Sequence, residues 1–377
     1  MRHISFRTLE YWFVMHIHGS QAVVDGILKE HVCIQTSLGL IQRICFDCDD
    51  SPDLTCFGTL IPGFVDIHSH GGGGYYFSDV NLRNIETARN VHLNHGTTTQ
   101  IASLITAPMD VLKEQILRLV PMIKSKMFAG IHLEGPYLSR ARCGAHEPSF
   151  LRSPNINELK NLIDIGQGYI SMVTLAPELD GSIEAIEFLS SRGVTVALGH
   201  SQADEATTLS AINAGAKVIT HFSNGMPKPG KQIATIAEVA LTQKSIYLEI
   251  IMDGIHVSED ILYEVLASGN KRTILITDSM SAAGSIDGNY IIGSMDVVVK
   301  DGVARLTQNN SLAGSTLTMD RAFTNFFALN HNLAECVFAS STLPAQILGL
   351  DSVGSISIGK IANLLEYIDS KISIIPS

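Results

Sequence analysis

Two spacings of apolar residues divide the chain. Up to about residue 57, short stretches alternate apolar and polar, as in Trp12-Phe13-Val14-Met15-His16-Ile17 and Val32-Cys33-Ile34-Gln35, with Gly19, Gly26 and Gly39 between them. A period of two broken by glycines predicts short strands joined by turns. From about Leu60 the pattern becomes apolar runs followed by stretches of helical period. Strands are predicted around Phe64-Val65-Asp66-Ile67 and over 97–104, 128–134, 169–175, 195–200, 217–221, 246–252 and 273–278. Helices are predicted between them over 81–95, 109–125, 156–165, 182–191, 203–214, 233–242 and 259–267. The pattern then breaks: 286–312 reads as strands around an Asp301-Gly302 hairpin turn, 319–329 and 343–348 as helices, and 354–375 as strands again, including 356–358 and 371–375.

Strands that are apolar throughout are covered on both faces. Eight of them alternating with helices predict an α/β fold, a (β/α)8 TIM-like barrel. A doubly wound open sheet is the runner-up, disfavoured because polar residues are spread over the ends of many strands. The expected organisation is a small β-sandwich domain built from both chain ends (1–57 and 351–377) around a barrel over 58–350 with a β insert near 286–312.

Composition narrows the partners. A hydrophobic share of 45% in 377 residues is enough for a large core. A net charge of -11, with no Lys/Arg block, argues against nucleic acid as a general partner. No apolar run of membrane-spanning length occurs and no cleavage signal follows the first residues, so neither membrane nor leader is expected. The cysteines, Cys33, Cys45, Cys48, Cys56, Cys143 and Cys336, do not form a dense framework, which suggests a reducing, cytoplasmic setting. Cys45 and Cys48 form a CxxC. With Cys33 and Cys56 it would supply four sulfurs for zinc, but the spacing is loose, and cysteines packed in a small apolar domain are the simpler account.

The chemistry lies at the strand ends. His68 and His70 are two apart in an extended segment, so they project to the same side, and two imidazoles suit a divalent transition metal. Glu134, His200, His221 and Asp278 end later strands. A barrel gathers the C-terminal ends of its strands into one mouth, so residues far apart in sequence are expected to share a site.

The motifs that carry these residues are Pro62-Gly63-Phe64-Val65-Asp66-Ile67-His68-Ser69-His70-Gly71, His95-Gly96-Thr97-Thr98 and Gly130-Ile131-His132-Leu133-Glu134-Gly135-Pro136. Gly144-Ala145-His146-Glu147-Pro148, Leu175-Ala176-Pro177-Glu178, Gly199-His200-Ser201, Thr220-His221, Asp253-Gly254-Ile255-His256, Thr277-Asp278-Ser279-Met280 and Leu312-Ala313-Gly314-Ser315 follow in order. Together they resemble the amidohydrolase superfamily, and within it the deacetylases of N-acetylated amino sugar phosphates. The resemblance implies that Glu134, His200 and His221 hold a principal divalent metal, most often Zn²⁺ with Fe²⁺ or Mn²⁺ as alternatives. It implies that His68 and His70 help to hold a second ion and that Asp278 is the catalytic acid/base. His256, His146, Asn224, Gly225, Ala145, Ala313 and Gly314 would line the substrate site. It further implies a homodimer acting on N-acetylglucosamine 6-phosphate. Another amidohydrolase activity, on N-acyl amino acids, cyclic amides or a different acetylated sugar, is the enzymatic alternative; a metal-free sugar-binding relative is the other.

One stretch departs from the family pattern. After Thr220-His221 relatives usually read Leu-x-Asn-Ala-Met, followed by a loop whose arginine reaches a neighbouring subunit's phosphate. Here Phe222-Ser223-Asn224-Gly225-Met226-Pro227-Lys228-Pro229-Gly230-Lys231 has no arginine, leaving Lys228 or Lys231 to supply positive charge. A lysine makes a point contact where arginine makes a fork.

Overall fold

The computed structural model describes residues 14–48, 51–228, 234–268 and 271–376. Eight parallel strands form one sheet in sequential order: β1 (Phe64–Asp66), β2 (Thr97–Ile105), β3 (Gly130–Glu134), β4 (Ile170–Leu175), β5 (Thr195–Leu198), β6 (Val218–Ile219), β7 (Tyr247–Ile251) and β8 (Thr273–Ile276). Just past the two end strands, Ser69 bridges Ser279, the His70 N–H donates to the Ser279 carbonyl (2.9 Å) and the Asp278 N–H donates to the His68 carbonyl (2.8 Å). These bonds join β1 to β8 and bring the first histidines beside the last carboxylate.

The helices between strands are α1 (Leu82–Asn94), α2 (Met109–Lys124), α3 (Ile156–Ile165), α4 (Ser182–Ser191), α5 (Glu205–Asn213), α6 (Ile236–Thr242) and α7 (Glu259–Ala267); α8 (Met319–Asn330) follows the insert. Their inner faces follow from spacing. In α2, Leu112, Ile116, Leu119 and Ile123 recur every three or four residues and are all buried. Polar caps set where several helices start. Asn81 accepts from the Arg83 N–H, Asn155 from Asn157 and Glu158, and Asp204 from Thr207, each satisfying an otherwise orphaned donor. The Asp204 cap is why α5 begins at Glu205 and not at Ala203.

The small β-domain expected from the two chain ends is present as one continuous sheet. Its order is Lys371–Ile375, Leu364–Ile368, Leu54–Pro62, Val14–Val24, Ile27–Ser37, Leu40–Phe46. Leu54–Pro62 hydrogen-bonds to the first strand on one side and to a C-terminal strand on the other, and the sheet curls so that the Ile41 N–H at its far edge donates to the Lys360 carbonyl (2.9 Å). Ile17, Val32, Ile34, Ile41, Leu60 and Leu364 form its core. Trp12 and Phe13 lie outside the described residues. The expected strand over 356–358 reduces to a single bridge between Ile356 and Val24. The insert is an antiparallel sheet of Gly288–Ile292, Met295–Lys300 and Val303–Leu306, with its own small core.

Candidate active site

Every strand-end residue named from the sequence stands at the same end of the barrel. His68 and His70 follow β1, Glu134 ends β3, His200 follows β5, His221 follows β6, and Asp278 follows β8. All are buried or nearly so. The strands end two residues before His200, His221 and Asp278, and these three adopt left-handed backbone, with φ of 47°, 28° and 46°. Non-glycine residues resist that region, so the surrounding structure must enforce it, and the turn it makes sends each side chain inward over the barrel.

Two groups of potential ligands result: Glu134 with His200 and His221, and His68 with His70 and Asp278, the ligand atoms of each lying within 4.8 Å of one another. Glu134 stands between them. Its Oε1 is 3.1 Å from His200 Nε2 and 3.0 Å from His221 Nε2; its Oε2 is 3.3 Å from His70 Nε2 and 3.4 Å from His146 Nε2. Asp278 Oδ1 is 3.5 Å from His68 Nε2 and 3.3 Å from His70 Nε2.

The donor set fits a divalent cation. His200 Nδ1 donates to the Arg142 carbonyl (2.8 Å), and His68 Nδ1 donates to Glu249 Oε2 (3.0 Å). In the neutral imidazole each then presents an Nε2 lone pair to the centre. His200 Nε2 meets His221 Nε2 at 3.1 Å, and His68 Nε2 meets His70 Nε2 at 3.2 Å. Lone pairs converging with carboxylates at this range are balanced by a positive charge. Nitrogen and oxygen donors of this kind suit zinc and its first-row neighbours.

Burial alone would raise the Glu134 carboxyl, but His68, His146 and the other imidazoles around it hold it well below the usual carboxylate range. Asp278 is likewise opposed by burial and drawn down by His68 and His70, to about 2. Both are therefore ionised at neutral pH.

The mouth opens into a cavity of about 620 Å³ lined by His70, Glu134, His200, His221 and Asp278 together with His146, His256, Asn224, Gly225, Ala145 and Gly314, with His68 buried behind them. His146 Nδ1 hydrogen-bonds to Thr106 Oγ1 (2.9 Å) and its Nε2 faces Glu134, while His256 Nδ1 donates to Asp253 Oδ2 (2.6 Å), which turns its Nε2 away from that carboxylate. Gly225, at φ 61°, lies so close to the His200 ring that a Cβ there would come within 3.0 Å of Nδ1. Ala313 is placed differently from its neighbours. It is buried in the core of the insert, while Leu312 and Gly314 line the cavity. Lys228 lines the cavity, as does Arg142; Lys231 lies outside the described residues.

Several contributors were not read from the sequence. Glu249, fully buried in β7, accepts from His68 Nδ1 and, at 3.1 Å, from the His221 backbone N–H, so one carboxylate positions a histidine of each group. The available signal was a single charge inside the apolar run Tyr247-Leu248-Glu249-Ile250-Ile251. Asp66, pushed up to about 6 by burial, takes a 2.6 Å bond from Thr277 Oγ1 and one from the His68 N–H, tying β1 to β8 beneath the metal groups. His132 bridges Ser103 and Thr174 at 3.0 and 2.8 Å in the layer below.

Comparison with known proteins agrees with this geometry. The model of the amidohydrolase family matches residues 59–367. The N-acetylgalactosamine-6-phosphate deacetylase of Escherichia coli O157:H7 is 34% identical over 312 residues, covering 81% of this chain and 82% of its own. The N-acetylglucosamine-6-phosphate deacetylase of Vibrio furnissii is 32% identical, covering 81% and 78%. Among solved structures, a mutant N-acetyl-D-glucosamine-6-phosphate deacetylase from Mycobacterium smegmatis, in complex with N-acetyl-D-glucosamine-6-phosphate, superposes with a TM-score of 0.93 at 33% identity, covering 96% of this chain and 97% of that one. The corresponding deacetylase from Thermotoga maritima gives 0.84 at 30% identity, covering 94% of each. A match that takes in the whole barrel, with relatives above 30% identity along most of their own length, establishes that the chain belongs to the amidohydrolase family.

Proposed function

We propose that the protein hydrolyses the N-acetyl amide of N-acetylglucosamine 6-phosphate, giving acetate and glucosamine 6-phosphate. The observation that carries this reading is the meeting of two carboxylate–imidazole groups in one mouth that also holds Lys228, Arg142, Asn224 and His256. Glu134, His200 and His221 would hold the principal ion, Zn²⁺ being the best match to the donors, and His68 and His70 would help to hold a second. A bound divalent cation supplies Lewis acidity, acidifying water and polarising the acyl carbonyl.

The chain's own groups do the rest. Asp278, ionised and at the mouth, takes the proton of the attacking water and hands it to the departing amine, which leaves poorly unless protonated. His146 and His256 present hydrogen-bonding nitrogens to the carbonyl and the sugar. Ala145, Gly225, Asn224 and the backbone around Ala313 and Gly314 shape the walls. Lys228, with Arg142, provides positive charge for the phosphate in place of the family's loop arginine. Family resemblance supports a homodimer, and the sparse cysteines a cytoplasmic setting, with the barrel over 58–350 as the catalytic unit.

The substrate class is tested by acetate release. The expected result is turnover of the 6-phosphate at least about tenfold more efficient (kcat/KM) than of unphosphorylated N-acetylglucosamine, with Lys228→Ala raising KM for the phosphate alone. Equal efficiency on both sugars would defeat the phosphate assignment. The galactosamine relative at 34% identity makes N-acetylgalactosamine 6-phosphate the second reading, so the two epimers belong in the same assay.

A further inference from the structure

The small sheet carries a second set of metal-capable side chains, far in sequence from the barrel groups. His18 on Val14–Val24 lies directly opposite Cys33 on Ile27–Ser37, and Cys33 lies directly opposite Cys45 on Leu40–Phe46. Directly paired residues share a face, with Cβ atoms about 4.5–5.5 Å apart. The row His18, Cys33, Cys45 therefore crosses three neighbouring strands on one face. Ile17, Val32 and Ile34 point to the opposite side, into the core, and Cys56 is part of that core. Asp47, at φ 51°, turns the chain after Cys45 and brings Cys48 back onto the row. The sulfurs of Cys33, Cys45 and Cys48 lie within 4.8 Å of one another, with Cys45 and Cys48 joined as a disulfide. His18 Nε2 is buried with no hydrogen-bond partner; it lies outside the 4.8 Å sulfur group, and His18, Cys33, Cys48 and Cys56 line one cavity of about 430 Å³.

We propose that, with the Cys45–Cys48 bond reduced, Cys33, Cys45, Cys48 and His18 form a tetrahedral Zn²⁺ site on the outer face of the small sheet, and that the disulfide is the metal-free state of the same site. Three cysteines and one histidine are a set that closes a structural zinc site, with Zn–S near 2.3 Å and Zn–N near 2.0 Å. Cys56, which the sequence spacing put forward, is packed into the sheet core, while His18 pairs directly with Cys33 and is the fourth ligand of this proposal. The chemistry balances. A small-molecule dithiol delivers two electrons and two protons to the Cys45–Cys48 bond and is itself oxidised to a disulfide. The three thiols then release their protons as Zn²⁺ binds, leaving one net negative charge with neutral His18. Oxidation reverses this, because two sulfurs bonded to each other no longer offer thiolates.

Co²⁺ is the probe that separates this site from the barrel, whose ligand groups contain no sulfur. The intact protein is reduced with dithiothreitol, freed of excess reductant without air, and titrated with Co²⁺. The expected result is a near-ultraviolet thiolate-to-cobalt charge-transfer band that saturates at one equivalent per chain, is displaced by one equivalent of Zn²⁺, and vanishes on oxidation with diamide. Cys45→Ser/Cys48→Ser should lack the band while keeping its barrel-bound cobalt and its far-ultraviolet circular dichroism. His18→Gln should keep the band and bind more weakly. Cys143→Ser, on the loop near the barrel mouth, should keep it unchanged. Absence of the band in fully reduced wild-type protein, or its persistence in Cys45→Ser/Cys48→Ser, would overturn the proposal. Because oxidised and reduced wild type are compared directly, a variant that fails to fold does not decide the outcome.

Discussion

At the scale of single residues, the site separates groups that touch the reaction from groups that aim them. Asp278 is proposed for the first class. Burial opposes its charge, but His68 and His70, the latter at 3.3 Å, hold the carboxyl below the usual carboxylate range, so it is ionised at neutral pH. Asp278→Asn keeps the shape but cannot accept a proton; turnover is expected to fall by at least about two orders of magnitude with most metal retained. Near-wild-type kcat, measured with metal content on the same sample, would refute its role. Glu249 is in the second class, since it reaches the centre only through His68 and the backbone of His221. Glu249→Gln should lower metal affinity by about 10–100-fold, as losing the partner of a ligating histidine does, and excess metal should restore most of the activity. Failure of added metal to rescue turnover would place Glu249 in a different role.

At the scale of elements, the site depends on how strand ends and helix ends are pinned. His95, just past the end of α1, donates through Nδ1 to Asp320 in the first turn of α8 at 2.8 Å, joining a helix early in the barrel to one that follows the insert. The bond to Asp320 raises the His95 imidazole. Burial would raise the Asp320 carboxyl, but His95 and Thr318 hold it below its ordinary value. The signs define a window. The His95 contribution is fully present below its unfolded value of about 6.5 and is lost as pH rises through the raised folded value. The Asp320 contribution is present above about 3.9 and is lost as pH falls through the lowered folded value. His95→Gln should therefore cost most stability between about pH 4 and 6.5, by about 1 kcal/mol or less for a partly exposed pair, and the difference should shrink as pH rises through the raised folded value. Urea denaturation of both proteins across that range measures it; a cost that does not vary with pH would mean the pair is not ionic.

At the scale of the whole molecule, the barrel encloses one continuous apolar core. The large core runs through every barrel strand and helix and is independent of the ligand groups at the mouth. Chelation is thus expected to abolish acetate release while leaving far-ultraviolet circular dichroism unchanged, with Zn²⁺, Mn²⁺ or Fe²⁺ restoring activity. Loss of secondary structure on chelation would show that the ion holds the fold. The insert contributes at this scale as well. Its own core seats Ile292 against the mouth, so a segment that interrupts the strand–helix alternation becomes a wall of the site.

Much of this was legible in the chain alone. Apolar runs alternating with helical stretches specified eight strands, and the polar residue closing each of several runs specified His68, His70, Glu134, His200, His221 and Asp278, because periodicity and strand ends are local properties. What sequence could not supply were relations between strands. Glu249 reads as an anomaly in an apolar run until β7 is placed beside β6. The Ala313 side chain reads as exposed to the cavity until the insert folds over it and leaves the wall to its neighbours Leu312 and Gly314. Cys56 reads as a partner of the CxxC until the register turns it into the core and sets His18 opposite Cys33. Local pattern determines which elements form, but which side chains face one another is decided by register and barrel closure, which arise only when strands far apart in the chain pair.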